Sequence, residues 1–150
     1  MKTLLLDIDY TMAHEQEPRP FLKEFLLTLK EQYNLVIYTG GTSSRVTDFL
    51  RILYHKLEIK DREFIHDLQI TALHRGNCDL IEYPTSSCSS IYIKCLKKAS
   101  EILNIPVEDL TLIDDTVHCE DPYIKQIIQA EGFYGQENDD YLQRLLKQLI

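Results

Sequence analysis

The sequence predicts an α/β domain with a mostly parallel sheet and helices on both faces. Three short apolar runs, at residues 3–8, 35–39 and 110–113, have strand length and end in or beside carboxylates or a hydroxyl. Segments with the apolar spacing of amphipathic helices lie between them. Strands alternating with helices imply crossover connections within one sheet. No linker, repeat or low-complexity stretch interrupts residues 1–150, an ordinary size for one domain.

The first run, Thr3-Leu4-Leu5-Leu6-Asp7-Ile8, reads as a buried strand. Pro18 and Pro20 break the chain. Phe21, Leu22, Phe25, Leu26 and Leu29, interleaved with Lys23, Glu24, Lys30 and Glu31, predict an amphipathic helix over 21–33, closed by Asn34. Leu35-Val36-Ile37-Tyr38-Thr39 is the second strand, broken by Gly40-Gly41. Thr42, Ser43 or Ser44 caps a helix whose apolar face is Val46, Phe49, Leu50 and Leu53. Residues 64–73 read as one or two short strands and 78–90 as a Ser/Thr-containing loop. A helix is expected over 93–103, stopped by Asn104 and Pro106. Leu110-Thr111-Leu112-Ile113 is the third strand, ending in Asp114-Asp115. A helix over about 122–130, a short Gly132-Phe133-Tyr134 segment and a last helix over 139–149, capped by Asn or Asp, complete the chain.

Composition narrows the function. Apolar residues make up 44% and charged residues 27%, too apolar for a disordered tail, and no run is long enough to span a bilayer. Sixteen Lys and Arg against twenty-four Asp and Glu give a net charge of −8, a poor match for nucleic acid. The start, MKTLLLDIDYT, reads as a mature one without a signal peptide. Cys78, Cys88, Cys95 and Cys119 include no CxxC pair and read as free thiols, which points to the cytoplasm.

In a parallel α/β sheet the ligand sits beyond the carboxyl ends of the strands. That rule gathers Asp7 and Asp9, Thr39, and Asp114 and Asp115 at one edge. Carboxylates so crowded need a cation, and an all-oxygen set favours Mg2+, which commonly takes the rest of its shell from water and phosphate. Asp7-Ile8-Asp9-Tyr10-Thr11 has the form DxDxT. The first Asp can attack phosphorus and form an aspartyl-phosphate, and the second can protonate the leaving oxygen and then activate water. Thr39 supplies a hydroxyl and Lys94 an ammonium to hold the phosphoryl charge.

These residues resemble the haloacid dehalogenase (HAD) superfamily of phosphohydrolases, whose four motifs are matched in order by DIDYT (7–11), YTGGT (38–42), the Lys of YIK (92–94) and LIDDT (112–116). The resemblance implies a three-layer α/β/α Rossmann-like fold without a large cap domain. It implies that Asp7 is the nucleophile, Asp9 the general acid/base, Thr39 a phosphate ligand and Lys94 the charge stabiliser. Mg2+ would be held by Asp7, the backbone carbonyl of Asp9, and Asp114 or Asp115. Within the superfamily the chain is most similar to the small phosphatases of the RNA polymerase II C-terminal domain, the NLI-interacting-factor group, through His74-Arg75-Gly76-Asn77 upstream of Tyr92-Ile93-Lys94. Arg75, with Thr11 and Gly40, becomes a substrate-binding candidate. The implied substrate is a phosphorylated Ser, Thr or Tyr side chain of a protein or peptide, and the implied enzyme a monomer, cytoplasmic or nuclear. Tyr10 stands where that group usually has Glu, Asp115 where it usually has Asn, and 78–91 reads as an insertion. Tyr10 is instead the residue of the capless magnesium-dependent phosphatases, which keeps a small-molecule phosphatase open as an alternative.

Other readings of the same residues are weaker. A phosphoacceptor receiver domain shares the acidic cluster, Thr and Lys, but its acceptor Asp belongs about where Thr39 stands. A non-catalytic binding module would not need Asp7, Asp9, Lys94 and Asp115 together. His66-Asp67 lacks the second His and distant Asp of a metal-phosphohydrolase centre, and His55 and His118 carry no role.

Overall fold

A computed structural model describes residues 1–82, 90–116 and 122–150. In chain order the elements are β1 (Thr3–Leu6), a small hairpin of β2 (Ala13–His14) and β3 (Glu17–Pro18), α1 (Leu22–Leu29), β4 (Asn34–Ile37) and α2 (Ser43–Arg51), which runs on into a π-helical turn, Ile52–Lys56. Then come α3 (Arg62–Thr71), β5 (Asp79–Glu82), β6 (Ser90–Ile93), α4 (Leu96–Leu103), β7 (Leu110–Asp114), β8 (Ile127–Gln129) and α5 (Tyr141–Leu149). Among the described residues no helix is long and apolar enough to cross a membrane.

The central sheet has the order β4-β1-β7-β8, with every pairing parallel. Side chains alternate across it, and the register keeps each layer together. Leu5 lies in register with Val36 on one side and Leu112 on the other. All three pack with Tyr38, Leu96 and Ala99, so α4 covers that face. Leu4, Leu6, Ile37 and Ile113 point the opposite way, onto apolar residues of α1, α2, α3 and α5. The result is the expected three-layer α/β/α fold, with more helix on one face than the other.

The strand order also locates the crevice. From β1 the chain crosses to β4 on one side and later returns to β7 on the other. The adjacent strands β1 and β7 therefore form the topological switch point, where loops diverge and leave an opening at the carboxyl edge. Asp7 follows β1, Asp114 ends β7 and Asp115 follows it.

Several expected elements are corrected. Residues 64–73 are not strands. They belong mainly to α3, started by the Asp61 carboxylate, which accepts the Phe64 N–H at 3.1 Å. Only Leu73 pairs in β fashion, with Tyr38. The loop expected over 78–90 holds strand β5, antiparallel to β6, while 83–89 lie outside the described residues. Helix α4 starts at Leu96, so Lys94 sits between a strand end and a helix start. Over 122–130 a 3₁₀ turn, Ile124–Gln126, leads into edge strand β8. The β-branched Ile127 and Ile128 mimic helical spacing with Ile124, but the place open beside β7 decides. The β2–β3 hairpin was not expected, and Asn34 opens β4 instead of closing α1. Neither Thr42 nor Asp140 caps its helix through its side chain.

Candidate active site

Asp7 leaves β1 with its N–H still bonded to the Ile113 carbonyl at 3.0 Å, so the sheet itself fixes its backbone. Its carboxylate is buried and both oxygens are used. Oδ1 accepts from the Lys94 ammonium at 2.6 Å and Oδ2 from the Thr11 hydroxyl at 2.7 Å. Lys94 also donates to Asp114 Oδ2 at 2.6 Å. One ammonium thus bridges the ends of β1 and β7, delivered by the short link between β6 and α4.

Asp114 and Asp115, adjacent in sequence, are treated differently. Asp114 is buried, with Oδ2 on Lys94 and Oδ1 accepting the Thr116 N–H at 3.0 Å. Asp115 is half-buried; its N–H donates to the Thr11 hydroxyl at 3.0 Å, and its Oδ1 lies 3.3 Å from the same oxygen. A hydroxyl has one proton, and the shorter contact gives it to Asp7. Asp115 therefore keeps the least committed carboxylate of the group.

Oxygens of Asp7, Asp114 and Asp115 lie within 4.8 Å of one another. With one ammonium among three carboxylates, two negative charges stay uncompensated. Burial, the largest influence, pushes the Asp7 carboxyl well above the usual range; the neighbouring Asp114 adds to this, and Lys94 and Thr11 only partly offset it. Asp115 is raised as well, chiefly by burial. Burial alone would lower Lys94, but Asp7 and Asp114 together outweigh it and the ammonium is held above its ordinary value. All-oxygen donors with excess negative charge fit a hard divalent cation.

The second strand forms a separate cluster. Thr39 is fully buried, and its hydroxyl accepts the Gly41 N–H at 3.0 Å, leaving its own proton to donate. Arg75 holds this turn through its N–H on the Gly41 carbonyl at 2.8 Å and its Nε on the Gly40 carbonyl at 2.9 Å. A Cβ at Gly40 would meet nothing within 4 Å, whereas one at Gly41 would come 3.1 Å from Arg45 Cβ and 3.3 Å from the Thr39 hydroxyl. The opening therefore lies over Gly40.

Asp9 stands apart. Its side chain is not in the carboxylate group but pairs with Arg45, whose Nε donates to Oδ1 at 2.9 Å. Thr11 is buried, and its hydroxyl joins Asp7 to Asp115.

Three supporting residues escaped sequence reasoning. Arg45 lies in the first turn of α2, where a cation opposes the helix dipole, and that misplacement was a usable signal. Arg19 is fully buried, forks onto Asp139 at 2.7 and 2.9 Å and donates to the Thr11 carbonyl at 3.0 Å, anchoring the first loop to the start of α5. Its place between Pro18 and Pro20 gave no sign of this. Buried Tyr38 accepts the Cys95 N–H at 3.2 Å and donates to the Asn77 carbonyl at 3.1 Å, steadying the residue after Lys94.

Comparison with known proteins places the whole chain in a family and its fold among solved structures. The model of the NLI interacting factor-like phosphatase family matches residues 2–150. Ubiquitin-like domain-containing CTD phosphatase 1 of Drosophila melanogaster is 35% identical over 60 residues, covering 35% of this chain and 19% of that protein. The structure of fission yeast RNA polymerase II CTD phosphatase Fcp1-R271A bound to beryllium fluoride superposes with a TM-score of 0.60 at 16% identity, over 98% of this chain and 49% of that one. A second structure, of Fcp1, an essential RNA polymerase II CTD phosphatase, gives 0.56 at 16% identity over the same shares. At that identity the likeness concerns the fold, and the chain spans about half the length of those two structures.

Proposed function

The chain belongs to the NLI interacting factor-like phosphatase family, and from that premise we propose that it hydrolyses phosphomonoesters on Ser, Thr or Tyr side chains of proteins through an aspartyl-phosphate on Asp7. The observation that carries the reading is the Lys94 ammonium shared by Asp7 and Asp114 at 2.6 Å each. It holds a buried carboxylate at the mouth of the switch-point crevice and keeps positive charge where a phosphoryl group would arrive.

Asp7, Asp115 and the Asp9 carbonyl are the groups that would hold Mg2+. When bound, the ion supplies positive charge against the phosphoryl oxygens. In the first step an Asp7 carboxylate oxygen forms a bond to phosphorus as the bond to the ester oxygen breaks, and Asp9 gives its proton to that oxygen. In the second step the Asp9 carboxylate takes a proton from water, the water oxygen bonds to phosphorus, and Asp7 leaves as carboxylate. Lys94 compensates the charge at Asp7, and the Thr39 hydroxyl and the Gly40 turn receive the phosphoryl oxygens. Positioned proton transfer of this kind is worth about 10²–10⁴ in rate.

A protein substrate is supported by the names of the similar proteins, a CTD phosphatase and an RNA polymerase II CTD phosphatase. It is supported too by the architecture: among the described residues between Thr39 and Lys94 there are helices packed on the sheet and one two-stranded ladder, not a cap that would enclose a metabolite.

Hydrolysis of p-nitrophenyl phosphate with and without Mg2+, then of phosphoserine, phosphothreonine and phosphotyrosine peptides, tests the proposal. Turnover that needs Mg2+ and vanishes in Asp7→Asn supports it. Near-normal turnover in Asp7→Asn, or none in the folded wild type, refutes it.

A further inference from the structure

The Lys94 bridge leaves Asp9 out. The Asp9 side chain is 42% exposed, and a carboxylate with that freedom is poorly placed to deliver a proton along one line. Arg45 restricts it. Arg45 Nε donates to Asp9 Oδ1 at 2.9 Å and Nη2 stands 2.9 Å from the same oxygen. Both contacts fall on Oδ1, so Oδ2 is the oxygen left for proton transfer.

The same guanidinium reaches further. Nη2 donates to the Glu15 carbonyl at 2.8 Å, in the turn between β2 and β3. Lys56, from the π turn after α2, donates to the next carbonyl, Gln16, at 2.6 Å. Glu15 has a φ of 54°, a left-handed conformation that a non-glycine residue keeps only where neighbours hold it. The aliphatic stem of Arg45 runs close over Gly41, where an added Cβ would come 3.1 Å from the Arg45 Cβ. An exposed surface pair contributes little, but the Arg45 side chain is only 15% exposed, is doubly bonded, and sits where the helix dipole disfavours it.

We propose that Arg45 is a positioning residue for Asp9, holding Oδ1 so that Oδ2 faces the ester oxygen, and locking the β2–β3 turn beside the nucleophile loop. This rests on the phosphatase reading above. Arg45 does not touch the reacting atoms; it acts through Asp9.

The test compares wild type, Arg45→Met, Arg45→Lys, Asp9→Asn and the Arg45→Met/Asp9→Asn double variant on phenyl phosphate and p-nitrophenyl phosphate, with Asp7→Asn as control. Phenoxide needs the proton far more than nitrophenoxide does. Arg45→Met is expected to lose about 10²-fold in kcat on phenyl phosphate with KM close to wild type, and markedly less on p-nitrophenyl phosphate. In the Asp9→Asn background the same change is expected to add nothing. Arg45→Lys, which can reach one partner but not both, is expected to fall between, and it serves as the variant to read if Arg45→Met does not fold. Equal losses on the two esters, a loss that persists without Asp9, or wild-type kcat in both Arg45 variants overturns the inference while leaving the phosphatase reading standing. Absence of wild-type turnover overturns both together.

Discussion

Lys94 Nζ lies 2.6 Å from Asp7 Oδ1 although the two residues are 87 positions apart in the chain. The contact joins the nucleophile candidate on β1 to the link between β6 and α4, and through Asp114 to the end of β7. A buried pair of this kind makes its partners depend on one another.

Replacing Lys94 by Met removes the cation from among three carboxylates. Losing one member of a buried ion pair costs about 3–5 kcal/mol, because the remaining charge stays in a poorly solvating place. The Lys94→Met protein is expected to lose stability in that range in EDTA, to recover part of it with Mg2+, and to lose at least about 10²-fold in turnover. Urea unfolding with and without Mg2+ checks the first two; a midpoint unchanged in EDTA contradicts them.

Asp7 makes the opposite prediction for stability. Its folded carboxyl holds its proton more tightly than the unfolded chain does, where a carboxyl titrates near about 3.9. Between that value and the raised one the folded state binds more protons, so in the metal-free protein Asp7's contribution to stability falls as pH rises. Asp7→Asn removes this cost while Asp114 keeps Lys94 paired. In EDTA at neutral pH the variant is expected to be more stable than wild type by roughly 1 kcal/mol, the usual scale of gain when a functional site is relaxed, with the advantage shrinking toward pH 4. A variant less stable than wild type at pH 7 contradicts this.

Much of this site was legible in the sequence. Leu4-Leu5-Leu6 is buried throughout and Leu110-Thr111-Leu112-Ile113 nearly so, as the apolar runs of neighbouring parallel strands are, which brings the acids after them to one edge. Lys94 and Thr39 stand out through their motifs and Arg75 through its resemblance to an HRGN segment; the structure puts Lys94 on Asp7 and Asp114 and Arg75 on the turn after Thr39. What the sequence hid was long-range pairing. Asp114 and Asp115 look equivalent in the chain, and only Lys94 on one and Thr11 on the other separates them. Ile127 and Ile128 have helical spacing with Ile124, and only the vacant edge of β7 makes them a strand. The link from Asp9 to Arg45 crosses 36 positions with no local trace except a cation at the wrong end of a helix.

Arg19 anchors the first loop from beneath. It is fully buried, and Asp139 nearly so, at 0% and 7% side-chain exposure. Arg19→Met leaves Asp139 charged without its fork and frees the Thr11 and Glu131 carbonyls. A loss of about 3–5 kcal/mol is expected. The Arg19→Met/Asp139→Asn double variant is expected to be more stable than the sum of the single losses by at least about 1 kcal/mol. Additive losses in denaturant titrations would count against the pair as a coupled unit.

Neighbouring glycines should respond differently. Gly40 faces open space and Gly41 faces Arg45 and Thr39. Gly40→Ala is expected to keep or raise stability, by up to about 1 kcal/mol, because neither glycine has a positive φ and alanine narrows the unfolded ensemble. Gly41→Ala is expected to lower stability by displacing the Arg45 stem. Thermal unfolding of the two variants decides, and equal midpoints would contradict the tight contact at Gly41.

The central claim is that Asp7 carries the phosphoryl group during turnover. The direct measurement is to mix the Asp9→Asn variant, whose second step lacks its base, with p-nitrophenyl phosphate and Mg2+, quench in acid, reduce with borohydride and map the peptides by mass spectrometry. The account predicts homoserine at position 7, the product of reducing an aspartyl-phosphate. Phosphate release by an active protein with Asp7 unmodified, or the modification at any other carboxylate, would contradict it.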